Sequence, residues 1–123
     1  MNSDFNLFIF SEDVNFSSAL ALECNKYGFE LTFFEINNMK EIFNNNKNSV
    51  SVVIIDLEND LENEKLKLGE KSRIISNFPI FGVLDRINKN IQHKSKDYGF
   101  DLIFTKRMLL KSLKKVVVHV SNQ

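Results

Sequence analysis

Three side chains sit at or one residue past the ends of apolar runs, and they are the ones whose chemistry folding could join. Asp56 ends the run Ser51-Val52-Val53-Ile54-Ile55-Asp56, Glu12 follows Leu7-Phe8-Ile9-Phe10, and Lys106 follows Leu102-Ile103-Phe104. Such a run reads as a strand buried on both faces. In open α/β sheets, reacting groups gather outside the carboxyl ends of the strands. Two acids and a lysine at one edge form a small phosphoryl or metal site. A carboxylate can be a nucleophile, carboxylates and water can hold a divalent cation, and an ammonium can hold phosphoryl oxygens as a point charge.

The elements that must position these groups alternate along the chain. Phe5 to Phe10 reads as a first strand. Val14 to Tyr27 follows as a helix with Phe16, Leu20, Cys24 and Tyr27 on one face, Asp13 as N-cap and Gly28 as stop. A second strand is expected from Glu30 to Ile36, then a short helix capped by Asn38 and carrying Met39, Ile42 and Phe43. Val52 to Ile55 forms the third strand. From Leu57 to Asn77 the residues Leu61, Leu68 and Ile75 recur at a helical period, but Gly69 interrupts, so a short or poorly formed helix is expected. Pro79 introduces a fourth strand, Ile80 to Leu84. Ile87, Ile91, Ser95 and Tyr98 mark a polar helix closed by Gly99. Asp101 to Phe104 is the fifth strand, and Leu109, Leu110, Leu113, Val116, Val117 and Val120 stripe a last helix. Strands alternating with helices make a parallel sheet with helices on both faces, joined by right-handed crossovers.

Bulk composition narrows the function classes. The 123 residues suit one domain, 1–123, without repeat or linker. Sixteen basic residues balance sixteen acidic ones, so no basic excess favours nucleic acid or an anionic membrane. A single cysteine, Cys24, excludes an internal disulfide and fits a reducing, cytoplasmic setting. Met1-Asn2-Ser3-Asp4 shows no leader pattern, and no apolar run reaches the ~20 residues of a membrane helix. His93 and His119 lack companions at zinc-ligand spacing, and no glycine-rich phosphate loop follows the first strand.

The chain resembles a response-regulator receiver domain of the CheY-like kind. Ser11-Glu12, Asn25-Lys26-Tyr27-Gly28-Phe29, Val53-Ile54-Ile55-Asp56, Phe78-Pro79-Ile80 and Tyr98-Gly99-Phe100-Asp101-Leu102-Ile103-Phe104-Thr105-Lys106 carry the resemblance, which spans nearly the whole chain. It implies an α/β, doubly wound, five-stranded parallel sheet of order 2-1-3-4-5, and a place in two-component phosphorelay signalling. By the same resemblance Asp56 is the phosphoacceptor and Lys106 contacts the phosphoryl group. Mg²⁺ would be held by Glu12, Asp56 and the backbone carbonyl of Glu58, while Asp13 falls one position too late.

Departures from the family pattern suggest an atypical member. Leu84 stands where the family has a hydroxyl side chain, and Ile103 where it often has an aromatic switch. Arg107 replaces a proline. Asp85 and Arg86 are expected to be surface charges. The resemblance implies a histidine kinase or phosphotransfer protein upstream. Downstream, it implies a protein bound on the face of helix four, strand five and helix five, including Lys94, Tyr98, Ile103, Arg107 and Lys111. No enzyme activity is expected beyond self-phosphorylation and slow self-dephosphorylation. The alternatives are a phosphorylation-independent pseudo-receiver scaffold and, from another class, a small flavodoxin-like enzyme working at the same edge.

Overall fold

The computed structural model describes residues 5–121. The N-terminal stretch Met1-Asn2-Ser3-Asp4, where no leader is expected, lies outside the described residues. The strands are β1 (Phe5–Phe10), β2 (Glu30–Phe33), β3 (Val50–Asp56), β4 (Ile80–Leu84) and β5 (Leu102–Thr105). Between and after them come α1 (Val14–Tyr27), α2 (Met39–Asn45), α3 (Glu64–Ile75), α4 (Lys89–Asp97) and α5 (Lys106–Ser121). All strand pairs are parallel, in the order β2-β1-β3-β4-β5. The expected architecture is therefore found.

Alternation along β3 shows why this sheet needs helices on both faces. Val52 and Ile54 enter one core with Phe16, Leu20 and Cys24 of α1 and Leu109, Leu113 and Val117 of α5. Val53 and Ile55 enter the other with Met39 and Phe43 of α2 and Leu66 and Leu68 of α3. Burial on both faces explains the unbroken apolar runs.

Register decides which side chains meet. Phe10 lies opposite Ile55, Asp56 opposite Val83, and Leu84 opposite Thr105. The carboxyl ends of β1, β3, β4 and β5 are thus level, and Ser11, Asp56, Asp85 and Lys106 emerge along one edge.

Several local expectations are corrected. The Gly69 region is a regular helix of 12 residues. An added Cβ at Gly69 would come within 2.2 Å of the Phe100 ring, so the glycine serves close packing. Leu61 is 77 % exposed in a 3-10 turn at Leu61–Asn63 and takes no part in the buried face of α3. Strand β2 ends at Phe33, short of the expected Ile36, and the next residue, Phe34, lies in the second core. Asn38 accepts from the backbone N–H of Glu35 at 2.8 Å and makes no side-chain cap to α2. Tyr27 is half-exposed and packs on the Phe29 ring. Asp101 precedes β5; it accepts from Arg73 at 2.6 Å and from the Ile80 backbone at 2.8 Å. Among the described residues no helix is long and apolar enough to cross a membrane.

Candidate functional site

Asp56, the last residue of β3, is 4 % exposed. Burying a carboxylate is costly unless it is paired and hydrogen-bonded, and three donors meet it. Its Oδ2 accepts from the Ser11 hydroxyl at 2.7 Å and from Lys106 Nζ at 3.0 Å. Its Oδ1 accepts from the Glu58 backbone N–H at 3.0 Å.

Lys106 opens α5 directly after β5, so its side chain leans back over the sheet edge. An ammonium has three donors, and here each has a carboxylate: Asp13 Oδ2 at 3.0 Å, Asp56 Oδ2 at 3.0 Å and Asp85 Oδ1 at 3.1 Å. Burial alone would lower the pKa of this lysine. Hydrogen bonds to Asp13, Asp56 and Asp85 outweigh burial and hold it above its ordinary value.

Asp13 serves two partners. Its Oδ1 caps α1 through the Phe16 N–H at 3.0 Å, and its Oδ2 meets Lys106. The Phe16 N–H and then the lysine hold its pKa below the usual carboxylate value. The Asp13 N–H donates to the Ser11 oxygen at 3.1 Å, while the Ser11 hydroxyl donates to Asp56. Ser11 therefore relays one polarised chain from the α1 cap to Asp56.

Glu58 is held at three points. Its N–H reaches Asp56, its Oε2 accepts from the Asp85 N–H at 2.9 Å, and its carbonyl accepts from the ammonium of Lys65. Together with Glu12, Asp60, Glu64 and their neighbours, these residues line a cavity of about 460 Å³.

Asp56 and Lys106, remote in sequence, are thus brought together. Glu12 lies exposed on the same cavity but takes no part in the Lys106 cluster; the acid that β1 delivers to Lys106 is Asp13. Asp85, expected to be a surface charge, is a partner of Lys106. Its signal was as strong as that of Asp56, since it too is an acid directly after an apolar run. Lys65 had no signal of its own; only the Asp60 cap fixes where α3 starts.

Of the expected Mg²⁺ ligands, the side chains of Glu12 and Asp56 both line the cavity. The Glu58 carbonyl already receives Lys65. Among the described residues no three His, Cys, Asp or Glu side chains are placed to hold a metal. At the expected switch positions, Leu84 is buried in the second core and Ile103 packs against that core from β5. Phe104 faces the first core, edge-on to Phe81 at 5.4 Å.

No family model and no curated protein matches the chain. Solved structures do. The receiver domain of the TMAO respiratory system response regulator TorR is 18% identical, with 94% of this chain and 98% of that one covered at a TM-score of 0.68. A response regulator from Thermotoga maritima is also 18% identical, covering 92% and 97% at 0.67. A receiver domain from Rhodospirillum rubrum is 14% identical, covering 96% and 94% at 0.67. Over more than nine-tenths of its length the chain has the fold of response-regulator receiver domains.

Proposed function

We propose that this chain is an atypical receiver module of a two-component system, with Asp56 as phosphoacceptor and output through protein binding. The observation that carries the reading is the pairing of a buried Asp56 with Lys106 at the carboxyl edge of the sheet. A nucleophilic carboxylate with a cation beside it is what acceptance of a phosphoryl group requires.

Asp56 Oδ1 carries one hydrogen bond and Oδ2 two, so Oδ1 is the freer nucleophile. It attacks the phosphorus of a phosphohistidine or a small acyl phosphate. The new O–P bond forms as the P–N or P–O bond to the donor breaks, and the leaving group departs with its electron pair. Lys106 turns from its carboxylates to the phosphoryl oxygens. Partners are an upstream histidine kinase or phosphotransfer protein and a downstream protein on the face of α4, β5 and α5. On that face Arg107 and Lys111 are exposed beside Leu102 and Met108.

A second reading, a pseudo-receiver that binds without phosphate, is favoured by Leu84. Buried at the end of β4, it offers no hydroxyl to follow a phosphoryl group. Intact-mass analysis after incubation with acetyl phosphate, with Mg²⁺ and with chelator, separates the two. Addition of one phosphoryl group in the native chain and none in Asp56→Asn supports the first. No addition under either condition removes phosphorylation and leaves the scaffold.

A further inference from the structure

We propose that Lys65 is a tethered counter-cation that takes the place of a divalent ion at the Asp56 cup. This rests on the reading of that cup as the working site.

The loop after β3 is built to deliver this lysine. Asn59, Glu62 and Asn63 all have positive φ, which folds the loop back on itself. Asp60 then caps α3 with both oxygens, accepting from the Lys65 N–H at 2.7 Å and the Leu66 N–H at 3.1 Å. Lys65 thereby sits in the first turn of α3, and helical side chains lean toward the N-terminus. Its ammonium returns over the loop to the Glu58 carbonyl, while the N–H of the same residue holds Asp56.

Charge supplies the reason. Seven carboxylates line the cavity against two ammonium groups, Lys65 and Lys106. Lys106 is engaged by three of those carboxylates. Lys65, among the described residues, is paired with none, so its charge is left to offset the cup as a whole. Ser11 works in the same direction, giving Asp56 a hydroxyl donor that brings no negative charge of its own. A cation approaching the Glu58 carbonyl meets the repulsion of the lysine beside it.

Mg²⁺ alone is titrated into the folded chain and read from the backbone amides of residues 12, 56 and 58. Lys65→Met is expected to bind about tenfold or more tightly than the native chain, because a like charge has been removed. Lys65→Arg, which keeps the charge, is expected to stay with the native chain. Lys65→Gln serves in place of the Met variant if the latter's spectrum is not that of the fold. Equal Mg²⁺ affinity in the native and charge-removed chains overturns the proposal. So does a gain in Lys65→Arg equal to that in Lys65→Met, which would make the lysine's fit, not its charge, responsible. No phosphoryl transfer is involved, so a gain of Mg²⁺ binding without Asp56 phosphorylation would fail the function and keep this inference.

Discussion

Lys106 Nζ lies 3.0 Å from Asp56 Oδ2, with the lysine 8 % and the aspartate 4 % exposed. Removing one partner of so buried a pair leaves the other charge uncompensated, which costs about 3 kcal/mol. Lys106→Met is expected to lose about that much, read from urea unfolding. Asp56→Asn in the Lys106→Met background should recover at least ~1 kcal/mol, since residues in direct contact couple by about 0.5–3 kcal/mol. Strict additivity of the two changes would show that the pair is not coupled.

The same cluster sets the pH dependence of stability. The pKa of Asp13 is lowered from 3.8 in the folded state, so the folded chain binds fewer protons there than the unfolded one. Its contribution is present above pH 3.8 and lost as pH falls through the folded value. The pKa of Lys106 is raised from 10.5, so its contribution is complete below pH 10.5 and lost as pH rises further. Denaturation followed across pH should show Asp13→Asn flattening the acid limb and, because Asp13 is one of the three carboxylates that raise Lys106, part of the alkaline limb as well. Lys106→Met should flatten the alkaline limb.

Gly69 sets helix propensity against packing. Alanine in mid-helix would gain about 1 kcal/mol over glycine. At this site its Cβ would fall 2.2 Å and 2.4 Å from two carbons of the Phe100 ring. Overpacking costs about 1–3 kcal/mol and should prevail, so Gly69→Ala is expected to lower the thermal midpoint. Shrinking Phe100 to Leu in the same chain should return part of the loss.

Glu62 holds φ at 56° on an exposed turn. That conformation costs a side-chain-bearing residue about 1–2 kcal/mol, and glycine avoids the cost while losing up to ~1 kcal/mol to unfolded-state entropy. Glu62→Gly is expected to be neutral to mildly stabilising in urea unfolding. A loss above ~1 kcal/mol would mean the side chain has a task in the loop.

The fold was legible in the sequence because burial on both faces writes itself as apolar runs, as it does in β1, β3 and β4. The edge chemistry was half legible. Asp56 and Lys106 follow such runs, and their meeting depends only on strand order and register. Which acid of the pair Glu12 and Asp13 would reach Lys106 was not legible, because one residue of loop decides it. Asp13 wins by capping α1 with one oxygen and turning the other to the lysine. Lys65 was hidden for a different reason: its direction depends on three left-handed residues, two of them asparagine, which the pattern of apolar residues does not encode. Gly69 was misread because a mid-helix glycine looks the same whether it breaks the helix or admits a ring from α4's following loop.

Mapping the phosphoryl group to a peptide tests the reactive role of Asp56 most directly. After exposure to acetyl phosphate, the native chain should carry one phosphoryl group on the peptide that contains Asp56, sensitive to hydroxylamine as an acyl phosphate must be. Label on any other residue, or equal label in Asp56→Asn, would contradict it.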